Sequence, residues 1–364
     1  MLAFFCLKNM KDCQYFATFA QTKQTSFSNL KKMNNKPVLY DNHGRIMNYV
    51  RLAVTDRCNL RCFYCMPEEG IKYVARQELM SFEEMDRLMY ILSNAGIEKV
   101  RITGGEPFVR RDMMQFLRKI AEYNLQIHIT TNGTLTHQHI PELKSLGIQS
   151  VNLSLDSLDK KRFFEITRRD EFDNVMKTLE GLLKYDIKTS INSVVMQGKN
   201  EADMLSLVEL TKNDPISVRF IEEMPFNGNG SHYETLHWHY RRILDFLKSH
   251  YPNLEKLQDP PHSTAYHYKI PGYKGKIGII AAYSRTFCGT CNRLRITPQG
   301  VLKTCLYDTG VFNIKNLMRE GATDAQVLTA LTDAIGNRAK DGHEAEKSRN
   351  FGLPVTESMT TIGG

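Results

Sequence analysis

Residues 51–65 read Arg51-Leu52-Ala53-Val54-Thr55-Asp56-Arg57-Cys58-Asn59-Leu60-Arg61-Cys62-Phe63-Tyr64-Cys65. The apolar start of this stretch, with Tyr49 and Val50 before it, predicts a strand over 49–54. Directly after it come three cysteines, spaced by three residues and then by two. A strand that runs into a thiol-bearing loop is the first half of a β-α unit with chemistry at its C-terminal end. A mononuclear zinc site recruits four ligands, and neither a histidine nor a further cysteine adjoins this triplet. Three thiolates do hold an iron–sulfur cube while leaving one iron open to another ligand.

Downstream of this stretch, the pattern repeats. Short β-rich runs at 99–103, 126–131, 150–155, 189–196 and 216–222 alternate with stretches of helical period. Ser81 opens Ser-Phe-Glu-Glu, a capping box, and Gly96 and Gly147 close helices. Six β-α units predict an α/β fold, an incomplete (β/α)6 barrel of the TIM type. Barrels of this kind gather catalytic groups at the C-terminal strand ends. The ends here carry Gly104-Gly105-Glu106, Thr130-Thr131-Asn132-Gly133, Ser154-Leu155-Asp156 and Glu222-Glu223-Met224. Past Pro225 the sequence turns Asn/Gly-rich, with an aromatic-rich helix around His237 to His250, and breaks at Asp259-Pro260-Pro261. The expected organisation is an arm or over-extended start over 1–32, a barrel over 40–258, and a smaller α+β region over 259–364.

That last region holds a second triplet, Cys288, Cys291 and Cys305, again with no adjacent fourth ligand. His262 and His267 lie upstream and leave a zinc site open as an alternative. Cys291-Asn292-Arg293-Leu294-Arg295 places two guanidiniums on one face of a strand, where paired arginines suit phosphates and a cluster's open iron suits a purine. A surface salt-bridge pair does not account for their position beside a ligand cysteine. Gly104-Gly105-Glu106-Pro107, one unit after the first triplet, lets backbone approach a ligand closely, so that main-chain carbonyls and Glu106 hold its amino group. It resembles the motif that binds the amino group of S-adenosylmethionine (SAM) in radical SAM enzymes, whose chemistry needs an open iron.

The bulk properties bound the reading. With 364 residues and 41% hydrophobic content, the chain is long enough for a large α/β domain with an appendage. Its net charge is +8, and residues 1–32 hold five lysines against one aspartate, leaving a mildly basic body. No basic stripe interleaved with aromatics appears, so a nucleic-acid partner is not expected; the surplus suits steering of an anionic small substrate. No apolar run approaches the roughly 18 residues of a spanning helix, and no signal-peptide frame surrounds Leu2 to Leu7. A membrane association is therefore not expected and a cytoplasmic location is. In a reducing cytosol, clustered thiols serve metals or redox chemistry sooner than disulfides; Cys6 and Cys13 lie in the arm.

Taken together, the 51–65 stretch, Arg101-Ile102-Thr103-Gly104-Gly105-Glu106-Pro107, Arg219-Phe220-Ile221-Glu222, Cys288-Gly289-Thr290-Cys291-Asn292-Arg293-Leu294-Arg295 and the terminal Ile362-Gly363-Gly364 resemble the GTP 3',8-cyclase family of radical SAM enzymes. The resemblance runs from about Asp41 to Gly364. It implies conversion of GTP to (8S)-3',8-cyclo-7,8-dihydroguanosine 5'-triphosphate, the first step of molybdenum cofactor biosynthesis. It implies two 4Fe–4S clusters, the first on Cys58, Cys62 and Cys65 with SAM, the second on Cys288, Cys291 and Cys305 with guanine. Tyr64, Gly105, Glu106, Ser154 and Met224 would line SAM. Arg51, Arg101, Thr130, Arg219, Arg293 and Arg295 would contact GTP, and Gly363 and Gly364 would reach in to assist catalysis. An external electron donor and, as pathway successor, a cyclic pyranopterin monophosphate synthase follow; a homodimer stays open. The chain departs from the family pattern at Ser190, where the Lys-x-Asn-x-Val-Val strand usually places a triphosphate-binding lysine. Lys188 lies two residues earlier on the same strand face. A peptide-modifying radical SAM enzyme, which would need more auxiliary cysteines, and an electron carrier or zinc module are the competing readings.

Overall fold

The computed structural model describes residues 30–33, 36–224, 226, 236–347 and 357–363. Leu30–Met33 pairs antiparallel with Lys36–Leu39, so pairing begins in the last residues assigned to the arm; the rest of that arm lies outside the described residues. The main sheet has twelve strands, labelled here in chain order: β1 (Tyr49–Ala53), β2 (Lys99–Thr103), β3 (Gln126–Thr131), β4 (Ser150–Ser154), β5 (Thr189–Val195), β6 (Ser217–Glu222), β7 (Glu255–Lys256), β8 (Ala265–Lys269), β9 (Lys276–Ile280), β10 (Arg293–Ile296), β11 (Val301–Lys303) and β12 (Phe312–Asn313). Their order is β12-β11-β10-β1-β2-β3-β4-β5-β6-β9-β8-β7.

β1 to β6 stand side by side in chain order, all parallel, and the sheet does not close. The expected incomplete barrel of six β-α units is this central run. Residues beyond 259 extend it on both edges: β9 joins β6 in parallel, and β10 joins β1 in parallel. The C-terminal region thereby flanks the barrel's open side with strands in register with its own.

Helices Phe82–Asn94, Met113–Ala121, Ile140–Ser145, Phe172–Lys184 and Asp203–Asn213 connect successive strands. Their apolar faces, Leu88, Leu92, Leu117, Ile120, Leu143, Leu182 and Leu207 among them, are buried. They lie against sheet residues such as Val50, Leu52, Val100, Ile102, Ile129 and Ile191, so two core clusters coat the outside of the barrel wall. Burial of such side chains contributes about 1.5–3 kcal/mol each. The barrel's inner face is left for polar residues.

The capping box at Ser81 is present: its side chain accepts from the Glu84 amide and Glu84 reaches back to the Ser81 amide. Ser81→Ala leaves a helix-end donor without its partner. We expect it to lower the unfolding free energy by about 1 kcal/mol, read as a shifted midpoint in an anaerobic urea titration. The aromatic-rich helix starts at Tyr240, with His239 as its N-cap, and ends at His250. Among the described residues, no helix is long and apolar enough to cross a membrane.

Candidate active site

The inner face of the barrel encloses a cavity of about 700 Å³, within the range of small-molecule sites. All six cysteines of the two triplets line it, and all six are free and part-exposed. The topology explains why. The first triplet follows β1, the second brackets the β10–β11 hairpin, and β1 and β10 are parallel neighbours, so the triplets face the cavity from opposite ends of the same strands.

The first thiol loop is built by backbone contacts. The Cys65 and Met66 amides both donate to Cys62 O, at 2.9 and 3.1 Å, which winds the loop into one turn. Arg61 and Phe63 amides tie it to Thr167 and Ile166 carbonyls, and Arg61 Nη1 donates to Cys58 O at 2.6 Å. The Gly104–Gly105 turn presses on the stem of this loop. A Cβ on Gly105 would lie 2.2 Å from Arg57 O, and one on Gly104, where φ is +145°, 2.4 Å from Thr55 O. Both glycines are required by this close backbone approach, which also forms the Gly105 N–Thr55 O and Glu106 N–Arg57 O bonds.

Glu106 is fully buried and stands behind the cavity wall. Its carboxylate accepts from Thr131 Oγ1 at 2.9 Å, the Asn132 amide at 2.7 Å and the Phe108 amide at 3.2 Å. Burial pushes its carboxyl up to about 7 despite those bonds. Tyr64, Gly105, Ser154 and Met224 do line the cavity. The Tyr64 hydroxyl donates to Asp156 Oδ2 at 2.8 Å, a partner that sequence reading passed over.

The second triplet is held by arginines from distant sequence. Arg338, buried, donates to Cys291 O at 2.8 Å and to Cys291 Sγ at 3.1 Å. Arg45 donates to Cys288 O at 3.0 Å, and Arg293 Nε to Cys291 Sγ at 3.4 Å. Burial drives the Cys291 thiol up, but Arg293 and Arg338 outweigh it and hold it at about 6. Burial raises Cys58 and Cys305 to about 11.

Do these residues fit the clusters the spacing implies? Among the described residues no three His, Cys, Asp or Glu side chains converge as a single-ion site. His267 is engaged by Asp259 at 3.1 Å and His262 by Thr290 O at 2.8 Å. Two triplets of cysteines line one cavity, neither with an adjacent fourth ligand in sequence, and such a donor set suits a cube with an open iron.

The cationic residues form a row. Arg295, Arg51 and Arg101 pair in register across β10, β1 and β2, so the three guanidiniums stand on neighbouring strands about 4.8 Å apart. Arg101 Nε donates to the Tyr49 hydroxyl at 2.7 Å and Nη1 to Ile129 O at 3.0 Å. Arg219 leans on Asn152 Oδ1 at 3.4 Å. Arg51, Arg101, Arg219, Arg293 and Arg295 have no carboxylate within ion-pair distance among the described residues, which removes the salt-bridge alternative. Arg51 Nε, Arg219 Nε, Arg293 Nη2, Thr130 Oγ1, Asn192 Oδ1 and Ser217 Oγ are buried without a hydrogen-bond partner. All six belong to residues that line this one cavity. Unpaired buried cations and hydroxyls are costly, and their convergence is the mark of an anionic, many-acceptor ligand. Burial and mutual repulsion lower Arg219 to about 10 and Arg295 to about 9.

The C-terminal segment enters the same site. Ser358 Oγ donates to Cys65 O at 2.6 Å, and Arg295 Nη1 donates to Gly363 O at 2.6 Å. Gly363, at φ +78°, rests against Ala53 and Thr103, where a Cβ would meet each at 3.0 Å. Gly364 lies outside the described residues.

Comparison with known proteins follows the same division. The radical SAM superfamily model matches residues 52–211, and the Molybdenum Cofactor Synthesis C model matches residues 216–344. Molybdenum cofactor biosynthesis protein 1 of Bos taurus is 39% identical over 305 residues, covering 83% of this chain and 48% of that protein. The chain thus spans about half the length of the first curated relatives it matches. GTP 3',8-cyclase of Desulforamulus reducens is 37% identical over 337 residues, covering 90% of this chain and all of that protein. Among solved structures, Streptococcus suis SuiB shares the fold at a TM-score of 0.58 and 16% identity, over 85% of this chain and 70% of that one. Two adjoining domain matches and a full-length relative agree with the two triplets, the arginine row and the inserted tail: this chain belongs to the GTP 3',8-cyclase family of radical SAM proteins.

Proposed function

We propose that this chain carries out the radical SAM cyclisation of GTP to (8S)-3',8-cyclo-7,8-dihydroguanosine 5'-triphosphate, opening molybdenum cofactor biosynthesis. The observation that carries it is the cavity's double character: a thiol triplet at each rim and unpaired guanidiniums with orphaned hydroxyl and amide groups along the wall between them. Cys58, Cys62 and Cys65 would hold one 4Fe–4S cluster, and Cys288, Cys291 and Cys305 a second. When bound, the first cluster with SAM supplies a 5'-deoxyadenosyl radical, which removes the 3' hydrogen of the ribose before C3' joins C8 of guanine.

The chain's own residues do the positioning. Arg51, Arg101 and Arg295 bind the anionic part of GTP from adjacent strands, with Arg219 and Thr130 alongside, which fixes the ribose relative to the first triplet. Arg293 stands beside Cys291, where guanine would meet the second cluster. Tyr64, fixed by Asp156, with Ser154 and Met224, walls the SAM side. The segment from Ser358 to Gly363 covers the space between the first thiol loop and Arg295, excluding water from a site that must protect a radical. The closing electron comes from an external reductant, and the product passes to a cyclic pyranopterin monophosphate synthase. Oxygen-sensitive thiol sites suit a reducing compartment such as the cytoplasm.

Anaerobic reconstitution followed by mass spectrometry tests this. About eight irons per chain, with 5'-deoxyadenosine and an isomer of GTP formed only when GTP, SAM and dithionite are all present, is the expected result. SAM cleavage that ignores GTP would redirect the search toward a peptide substrate, although the second site has only three thiols to offer such an auxiliary role.

A further inference from the structure

The first triplet lies beyond the C-terminal end of β1, whereas the second lies at the opposite rim, where strands begin: Cys291 precedes β10, Arg293 pairs with Tyr49 at the start of β1, and antiparallel β11 returns Cys305 to the same level. Lys99 opens β2, Lys276 opens β9, and Lys188 immediately precedes β5; all three line the cavity. Across this part of the sheet the register is continuous: Thr130 pairs with Asn152, Asn152 with Ser190, Ser190 with Ser217, and Ser217 with Lys276. In-register residues on parallel neighbours share a face, and these five all look into the cavity.

Between Asn152 and Lys276, therefore, stand two serines. Ser217 Oγ is buried with no hydrogen-bond partner, and Ser190 is likewise buried. Strand spacing puts the Lys276 backbone about 10 Å from that of Ser190, a gap that an extended lysine and a phosphate together bridge. Lys276 is half-buried, yet among the described residues no carboxylate lies within ion-pair distance of it. Asp259, the acid nearest in influence, is already engaged by Lys256 at 2.7 Å and His267 at 3.1 Å. Lys188 also has no carboxylate partner among the described residues. Burial lowers the Lys276 ammonium, and Arg219 and Lys188 lower it further, so its surroundings are a surplus of positive charge. Arg219 pairs in register with Gly278, two residues along β9 from Lys276. A side chain at 278 would begin 3.0 Å from Arg219 Cγ, so the glycine leaves Arg219 and Lys276 open to the same space.

We infer that Lys276, with Lys188, binds the outermost phosphates of a nucleoside triphosphate across the Ser190–Ser217 gap, so that the chain counts phosphates at the N-terminal rim of its barrel. This rests on the GTP reading above and places the charge of that subsite on β9, in the Molybdenum Cofactor Synthesis C region, instead of on β5. GTP then lies across the N-terminal rim of the barrel, with its base toward the second triplet and its terminal phosphates between Lys188 and Lys276.

The test is calorimetric titration of the anaerobically reconstituted full chain, without reductant, with GTP, ATP, GMP and inorganic tripolyphosphate. Lys276→Ala is expected to weaken GTP and tripolyphosphate about tenfold, the scale of one charge-assisted contact, while leaving GMP within about twofold. Lys188→Ala/Lys276→Ala deepens the loss, and Lys276→Arg restores most of it. Iron content and melting temperature report whether each variant is folded. Equal weakening of GTP and GMP, or no change in either, overturns the inference while leaving the cyclase reading intact. Wild-type protein that binds tripolyphosphate through Lys276 but shows no preference for GTP over ATP overturns the guanine reading and keeps the rim subsite. Binding of neither GTP nor tripolyphosphate to the wild type overturns both.

Discussion

Cys62→Ala is expected to leave about four irons per chain instead of about eight and to bring SAM cleavage down at least about 10³-fold, some 4 kcal/mol or more in barrier. Cys291→Ala should also leave about four irons, with a different consequence: SAM is still cleaved, and GTP is no longer converted. The asymmetry follows from which elements build each loop. Cys62 anchors the turn that presents Cys65 and Met66, in the loop walled by Tyr64, Ser154 and Met224. Cys291 stands under Arg293 and Arg338, at the strand-start rim proposed to seat guanine, and its loss leaves the β1–β2 loops untouched. Iron analysis, 5'-deoxyadenosine yield and product yield on the two variants separate the roles. Equal loss of SAM cleavage in both variants would mean that the triplets do not divide the chemistry.

The two cysteine triplets and the strands that carry them were legible in sequence because they are local. Each triplet lies within 18 contiguous residues, and the six strands predicted from period-two runs match β1 to β6 to within about one residue at most ends. Arg293 and Arg295 were readable as a same-face pair for the same reason. What sequence did not show is what distant segments do to one another. Arg338 meets Cys291 across 47 residues, and Arg45 meets Cys288 across 243; no spacing rule reaches that far. Lys276 escaped notice because an isolated lysine at a strand start is usually solvated, and only the register Ser190–Ser217–Lys276 puts it in the cavity. The Gly104-Gly105-Glu106 turn was visible, but its glycines meet the Thr55–Arg57 backbone and Glu106 binds the start of the Asn132 turn. A motif scan names the residues that touch a ligand and those that support the loop around it alike, and only packing tells them apart.

Arg295→Ala is the second substitution from which we expect a large effect. Arg295 joins three things at once: the guanidinium row with Arg51 and Arg101, the approach to the second triplet through Arg293, and the tail through Gly363 O. Removing a charge that pairs with a desolvated partner costs about 2–5 kcal/mol, so kcat/KM for GTP should fall by roughly 30- to 4,000-fold. The folded protein itself should not suffer. Burial and the neighbouring Arg51 and Arg293 already disfavour the charge, lowering the guanidinium to about 9, and its loss relieves that repulsion. A melting temperature unchanged or raised, with GTP affinity reduced, is therefore the signature. Arg295→Lys separates the two remaining contributions. It keeps a positive charge in the row but cannot reproduce the planar fork, so GTP binding recovers in part. The hold on Gly363 weakens, and turnover recovers less than affinity. The tail is the more exacting element, since Gly363 is seated at φ +78° with Ala53 and Thr103 in contact distance of any side chain, and its carbonyl takes its donor from Arg295. Arg295→Ala with unchanged GTP affinity would move the phosphate site off this row; Arg295→Lys with fully recovered turnover would remove the tail from the mechanism.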